Sequence, residues 1–305
     1  GTHLVEVSIP ADGYDRDDHA WAVIIRRALD VGLFADGDAR KFLAAALASA
    51  GDGAFAVRDA AGAATGAASA DGFVVAGAAG SSAAPTGLWS RVREGAFMVV
   101  FLDARAPGAA RAFLEASGDS SLGTLVSSGQ ALEGKFHAEA NGAHAVTEFL
   151  LGTADMSIAS VELDRILDAP VLTGENVETP LVVRTPSGAR AFLTLARVGR
   201  GRVAIFNTAA DRSSGNFAVT PFYVPLLFEC IAWARGAAAG DGGFVCGESA
   251  TLPVPVGAAK VEIDGPEGAF AAEHVATPGG AMAVFTPKTP GFYRCNGATV
   301  AVNVP

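Results

Sequence analysis

Hydrophobic and polar positions along this chain form two kinds of segment. Wholly apolar runs bounded by Asp or Gly occupy residues 71–77 and 96–102, and such runs are typical of strands that are buried on both faces of a sheet. Apolar positions at helical spacing occur in three other segments, residues 38–49, 107–117 and 221–236. Because strands that alternate with helices form sheets with crossover connections, the pattern predicts an α/β fold, with a mostly parallel sheet flanked by helices in flavodoxin-like layers.

The pattern changes outside this α/β segment. Residues 118–190 mix short extended pieces with polar turns, and we expect an excursion at the edge of the sheet there. Residues 241–305 have strands separated by Pro and Gly turns and no helical period, which predicts a small all-β sandwich domain. Residues 1–20 are interpreted as a strand and linker remaining from a preceding β domain, with residues 4–9 pairing to an exposed sheet edge. The α/β domain is then expected to span residues 21–240.

A glycine-rich turn, 199-GRGR-202, joins two apolar strands of the α/β segment. A phosphate-binding loop needs its glycines between a strand and a helix, so that amides at the helix N-terminus face the anion. The turn is therefore predicted to be a hairpin. A polar segment follows the second of these strands and is therefore expected at the carboxyl edge of the sheet, where open α/β sheets bind ligands. The candidate ligand-binding residues of that segment are Asn207, Thr208, Asp211 and Arg212.

Composition narrows the range of partners. The formal net charge is −10, from 32 acidic and 22 basic residues, and the sequence has no basic block, so we expect no binding to nucleic acid. Polar residues interrupt every apolar run before the roughly 18 to 20 residues that a membrane span needs. The start, GTHLVEV, has neither a signal peptide nor an initiator Met, which indicates a trimmed chain whose natural form could carry an anchor.

Neither the cysteines nor the acidic residues of this chain have the spacing of a known metal site. Cys230, Cys246 and Cys295 lack the paired C-x2-C spacing of a zinc site. Cys246 and Cys295 could form one disulfide in an oxidising compartment, or be two buried apolar side chains. The stretch 12-DGYDRDDHAWAV-23 lacks the Gly and Glu of an EF-hand loop, so a solvated turn is predicted. We therefore expect no metal and no cofactor.

One strand end is the best position for catalysis. In α/β hydrolases and class I glutamine amidotransferases, a strand like that at 97–102 leads into a sharp turn that carries Ser or Cys. The corresponding residues 103–105 are Asp, Ala and Arg, of which only Asp103 could act, in a dehalogenase-like role. Such a site also needs a base, and the candidates are His137 and His144.

Several segments together resemble one family, the bacterial Bat-type, aerotolerance-regulator-like membrane proteins, whose extracytoplasmic part contains a class I glutamine amidotransferase-like domain. These segments are 12-DGYDRDDHAWAV-23, 94-EGAFMVVFLDAR-105, 199-GRGRVAIFNTAADRSSGNF-217 with 221-PFYVPLLFECIAW-233, and 290-PGFYRCNGATVAVNV-304. The resemblance implies a membrane-anchored, extracytoplasmic protein whose partners are other envelope or membrane proteins. It also implies a non-catalytic member, because residues 103–105 hold no Ser or Cys and Asn207 stands where the amidotransferase histidine would be.

Three functions are compatible with these features. The first is a non-catalytic extracytoplasmic interaction or scaffold module. The second is a hydrolase or amidotransferase-like enzyme with relocated catalytic residues, Asp103 with His137 or His144. The third is glycan binding by the β domain through flat aromatic side chains. The aromatic residues in question are Phe244, Phe270, Phe285, Phe292 and Tyr293.

Overall fold

The structure is a computed structural model that divides into two compact units. It describes residues 2–8, 19–25, 28–51, 53–59, 70–77, 87–126, 128–150, 157–235, 244–254, 261–277, 280–295 and 298–304. One unit is Ala28–Ala239, and the other combines Gly1–Arg27 with Gly240–Pro305.

The elements are numbered along the chain. The strands are β1 (Thr2–Ser8), β2 (His19–Ile25), β3 (Leu29–Phe34), β4 (Phe55–Asp59), β5 (Gly72–Ala76), β6 (Phe97–Phe101), β7 (Ala131–Ala140), β8 (Glu162–Leu167), β9 (Thr173–Gly174), β10 (Val177–Thr185), β11 (Gly188–Val198), β12 (Gly201–Phe206), β13 (Phe244–Val245), β14 (Ala250–Val254), β15 (Glu262–Gly265), β16 (Gly268–Ala271), β17 (Glu273–Thr277), β18 (Gly280–Phe285), β19 (Gly291–Cys295) and β20 (Ala298–Asn303). The α-helices are α1 (Gly37–Ala48), α2 (Leu88–Arg93), α3 (Pro107–Glu115), α4 (Ser120–Thr124) and α5 (Tyr223–Arg235). Short 3-10 helices cover Ala145–Leu150, Ile158–Ser160, Arg212–Ser214 and Phe217–Val219.

One large mixed sheet organises the α/β unit. Its strand order is β4-β3-β5-β6-β12-β11-β10-β7-β8, with β9 paired beside β10. The pairs from β4 to β12 are parallel, whereas β12 to β8 are joined by antiparallel pairs. The prediction of a mostly parallel, flavodoxin-like sheet is therefore wrong, because half of this sheet is an antiparallel meander.

The error has a physical cause in strands β10 and β11. Both carry long buried stretches, and a continuous apolar run reports burial on both faces without reporting strand direction. The two strands form a hairpin in which Thr185 pairs with Gly188. Residues 118–190, expected to be an excursion at the sheet edge, supply strands β7 to β10 of this antiparallel half.

Both faces of the large sheet are covered by apolar packing. Helices α1 and α5 contribute buried residues to the core on one face, and α2, α3 and α4 contribute to the core on the other. Under the carboxyl edge the Phe101 and Phe206 rings stack with centroids 4.7 Å apart, and Phe217 and Tyr223 extend this aromatic cluster. The ends of β6 and β12 are thus anchored by contacts between large buried side chains.

The turn at 199-GRGR-202 is a hairpin, as expected. Val198 pairs with Gly201 across it, and the two strands are antiparallel. A Cβ atom on Gly201 would lie 2.1 Å from the Val92 carbonyl oxygen at the end of α2, so only glycine permits this close approach. The glycine content of this turn follows from backbone packing against α2.

The second unit is built from strands in three sheets. Their orders are β1-β2, β13-β20-β19-β15-β16 and β14-β18-β17. Residues 4–9 were expected to pair with an exposed sheet edge; β1 instead pairs antiparallel with β2. Strand β2 is tied to β20 because the Trp21 backbone N–H donates to the Asn303 Oδ1 atom at 2.8 Å. Residues 21–25, expected at the start of the α/β domain, lie in the β unit.

Two further sequence questions have structural answers. Cys246 and Cys295 are not joined by a disulfide in the structure. The acidic stretch at residues 12–18 lies outside the described residues. Within the described part of the chain, no helix combines the length and the apolar character needed to cross a membrane.

Candidate functional site

The carboxyl edge of the parallel strands brings two polar segments together. Strands β6 and β12 are parallel neighbours, and their last residues Phe101 and Phe206 are register partners. The Leu102 backbone N–H donates to the Phe206 carbonyl at 2.9 Å. Residues 102–106 and 207–216 therefore leave the sheet side by side, at the edge where open α/β sheets place ligands.

Asp103, the candidate catalytic residue, is held by Arg105. Its side chain is only 10% exposed and accepts hydrogen bonds from the Arg105 backbone N–H at 2.8 Å and from Nη2 at 2.6 Å. The Arg105 Nε atom lies 3.0 Å from both carboxylate oxygens. Burial by itself would raise the pKa of Asp103, but these hydrogen bonds and the charges of Arg105 and Arg165 outweigh it and lower the pKa.

Two further charged groups complete the cluster around Asp103 and Arg105. The hydrogen bond to Asp103 raises the pKa of Arg105, and the nearby Asp211 carboxylate adds to the effect. Arg165 lies on β8 and also contacts Glu133 at 2.5 Å. The positive charges of the two arginines are thus offset by the carboxylates next to them within the cluster.

Asn207 ties three parts of the sheet together. Its side chain is buried, its Oδ1 atom accepts from the Leu167 N–H at 2.9 Å, and its Nδ2 atom donates to the Leu167 and Ala191 carbonyls at 2.9 and 2.8 Å. Asn216, at the far end of the same segment, accepts from the Glu162 N–H at 2.8 Å and donates to the Ser160 carbonyl at 3.0 Å. These two asparagines fasten residues 207–216 to β8 and the turn before it.

The other candidate ligand-binding residues differ in exposure. Thr208 is buried. Asp211 is partly exposed and caps the short 3-10 helix that follows it, by accepting from the Ser213 backbone N–H at 2.9 Å. Arg212 is exposed. Of the four predicted residues, Asp211 and Arg212 are the ones that reach solvent at this edge.

The candidate bases are engaged elsewhere. The Nδ1 atom of His137 lies 2.9 Å from the Ala159 carbonyl. In His144 the Nδ1 atom accepts from the Val146 N–H at 3.1 Å, and Nε2 lies 3.0 Å from a Glu178 oxygen. Neither ring forms a hydrogen bond with the Asp103 carboxylate, whose described partner is Arg105. The structure therefore does not assemble a carboxylate and histidine pair from these three residues.

A small cavity lies next to Asp103, between the ends of β5 and β6. Its volume is about 20 Å³, and it is lined by Val75, Gly77, Asp103, Ala106 and Phe113 among others. A cavity of that size holds about one water molecule. Among the described residues, no group of three His, Cys, Asp or Glu side chains is placed to hold a metal ion.

Sequence reasoning missed the role of two arginines. The sequence showed Arg105 only as a residue that cannot replace the nucleophile. Its position two residues after Asp103 is nevertheless short enough for the observed chelating contact. Arg165 lies in residues 118–190, where the sequence predicts short extended pieces but not which strands they pair with. Apolar and charged residues alternate in 161-VELD-164, and this alternation is the sequence signal for a strand there.

Comparison with known proteins does not assign this edge a chemistry. No family model matches the chain, and no curated protein matches it. Solved structures similar to this chain include two from Salmonella typhimurium described as cytoplasmic proteins. One has a TM-score of 0.45 and 12% identity over 76% of this chain and 96% of its own, and the other has a TM-score of 0.42 and 11% identity over 78% and 96%. A cold-adapted beta-galactosidase from Rahnella sp. R3 has a TM-score of 0.42 and 11% identity, over 88% of this chain but only 40% of that enzyme. At these values the similarity identifies neither a family nor an activity.

Proposed function

We propose that this chain is a non-catalytic interaction module. The observation that carries the proposal is the engagement of Asp103, whose carboxylate is chelated by Arg105 at 2.6 to 3.0 Å. A carboxylate nucleophile needs an oxygen directed at its substrate, whereas both oxygens of Asp103 accept hydrogen bonds from Arg105. Asn207 supports the same conclusion, because its amide holds β8 and β11 in place.

The proposal includes an extracytoplasmic location and a partner from the cell envelope or its membrane. Its support is the resemblance of segments 94–105, 199–217 and 290–304 to the extracytoplasmic region of Bat-type proteins. The proposed partners are other envelope or membrane proteins, and the net charge of −10 favours a protein surface over anionic lipid or nucleic acid.

Two assays on the purified full chain test the absence of catalysis. Ammonia release from glutamine and hydrolysis of p-nitrophenyl acetate are measured for the natural sequence and for Asp103→Asn. We expect equal rates for the two proteins, at the level that surface side chains produce without a site. Turnover that disappears in Asp103→Asn would contradict the proposal.

A capture experiment tests the partner class. The tagged full chain is incubated in parallel with a detergent-solubilised envelope fraction and with the soluble fraction of the same cells. Saturable recovery of a protein from the envelope fraction alone is the expected result. Recovery from the soluble fraction alone would refute the envelope part of the proposal.

A further inference from the structure

The β unit contains a cleft with the dimensions of a ligand site. It has a volume of about 340 Å³, within the range of roughly 300 to 1,000 Å³ that small-molecule pockets occupy. One wall is the β15–β16 hairpin with its turn at residues 265–268, and the other is the segment 286–288 that follows β18. None of the residues discussed for the carboxyl edge of the α/β unit lines it.

An aromatic cluster forms one side of the cleft. Phe270 is 37% exposed, and its ring meets Tyr293 edge-on, with centroids 6.2 Å apart, and Phe285 at 5.9 Å. Tyr293 is buried and donates its hydroxyl to the Thr289 carbonyl at 2.7 Å, so its ring is fixed in place. Phe270 is therefore an exposed apolar surface supported by two buried rings.

The rim of the cleft also carries polar groups. Glu267 and Lys288 are both exposed and both line the cleft. Glu267 is oriented by a hydrogen bond from the Thr289 hydroxyl, which connects the hairpin turn to the facing segment. One carboxylate and one ammonium group thus flank the aromatic surface, and their formal charges cancel.

From this arrangement we propose that the cleft binds the pyranose ring of a neutral saccharide. A pyranose has an apolar C–H face that packs against an aromatic ring, and hydroxyl groups that require both acceptors and donors around it. Glu267 supplies acceptors and Lys288 supplies donors. The charges of Glu267 and Lys288 offset each other in the cleft, so the net charge of −10 of the chain disfavours a ligand with a negative charge. The inference rests on the proposed function, since it names the kind of molecule that the interaction module binds.

Titration of the ¹⁵N-labelled full chain, followed by amide NMR shifts, tests the inference. The probes are methyl β-glucoside, methyl β-galactoside and methyl N-acetyl-β-glucosaminide. Methyl glucuronide serves as the anionic comparison, and sorbitol as a polyol without a ring. We expect saturable shifts of residues 265–270 and 286–289 with at least one neutral glycoside, weaker binding of the glucuronide and none of sorbitol.

Matched variants locate the contact. Phe270→Ala should weaken binding roughly tenfold, which corresponds to about 1.4 kcal/mol, and Phe270→Leu, which keeps an apolar side chain, should weaken it less. Val275→Ala is the control, because Val275 is 38% exposed and is not among the residues that line the cleft. Amide spectra of each variant report directly whether it remains folded.

The possible failures are distinguishable. Absence of saturable binding by all three neutral glycosides, tighter binding of the glucuronide, or full affinity in Phe270→Leu and Phe270→Ala would each overturn the saccharide inference. Cleavage of a bound glycoside, detected by product analysis of the same samples, would instead overturn the non-catalytic proposal and leave the binding site intact.

Discussion

Removal of the Asn207 amide is the sharpest test of the structural role given to this residue. Asn207→Ala removes the partner of two buried backbone groups, the Leu167 N–H and the Ala191 carbonyl, whereas the Leu167 carbonyl still accepts a hydrogen bond from the Ala169 N–H. A buried polar group left without a partner costs about 1 to 3 kcal/mol. Taking the lower part of that range for each of the two groups, because water can enter the space left by the amide, we expect a loss of about 2 to 3 kcal/mol in the free energy of unfolding.

Asn216→Ala provides the matched comparison. Asn216 also makes side-chain hydrogen bonds to backbone groups around β8, but it is partly exposed, so water can replace the lost bonds and the expected cost is about 1 kcal/mol. Urea unfolding is followed by tryptophan fluorescence in a Trp21→Phe background, which leaves Trp89 and Trp233 of the α/β unit as reporters. Equal losses in the two variants would refute the argument that burial makes Asn207 essential.

Three further predictions concern Asp103, Gly201 and Cys230. The pKa of Asp103 is lowered in the folded state, so its ionised form stabilises the fold above the ordinary Asp pKa of about 3.9, and this stabilisation is lost as pH falls through the folded pKa. Urea unfolding between pH 7 and pH 3 should therefore show a smaller acid-induced loss of unfolding free energy in Asp103→Asn than in the unmodified chain. Equal losses would contradict this reasoning. Gly201→Ala should lower the free energy of unfolding by about 3 kcal/mol or more, because its Cβ would lie 2.1 Å from the Val92 carbonyl oxygen. The control is Gly108→Ala in α3, whose Cβ meets nothing within 4 Å, and which should be neutral or stabilising by up to about 1 kcal/mol. Thermal unfolding of both variants measures the difference. Burial raises the pKa of the Cys230 thiol, so mass spectrometry after iodoacetamide treatment at pH 8 should find it alkylated only in urea, and rapid native labelling would show that the α5 core is open.

Local pattern was sufficient for the three main helices and for the glycine turn. The helices expected at 38–49, 107–117 and 221–236 occur as α1, α3 and α5, because each combines apolar periodicity with an end signal such as Pro or Gly. The hairpin at 199-GRGR-202 was also predictable, since its glycines stand between two apolar strands. The sequence could not show that Gly201 is needed for contact with α2, because the Val92 carbonyl is remote in the chain.

The candidate site was predictable only in its location. Residues 207–216 reach the carboxyl edge of β12 beside Asp103 because strand β12 points them there. Their roles depend on β8, which supplies the Leu167 backbone to Asn207 and the Arg165 charge to Asp103. Strand β8 belongs to residues 118–190, where the sequence predicts extended pieces but not their pairing. The contact between Asn207 and β8 could not be predicted, and Asn207 stood as a ligand-binding candidate.

The sequence by itself determined the main helices, the buried strands and the glycine turn outside residues 118–190, and which polar residues follow the central strands. These properties depend on periodicity, capping and glycine, all of which act over a few residues. Only the tertiary structure decided the direction in which β10, β11 and β7 pair, the approach of Arg165 to Asp103, and the meeting of the 265–268 turn with residues 286–289 beside Phe270. The physical reason is that pairing direction and side-chain meeting points depend on contacts between residues far apart in the chain, whereas a buried strand has the same apolar sequence whichever way its neighbour runs.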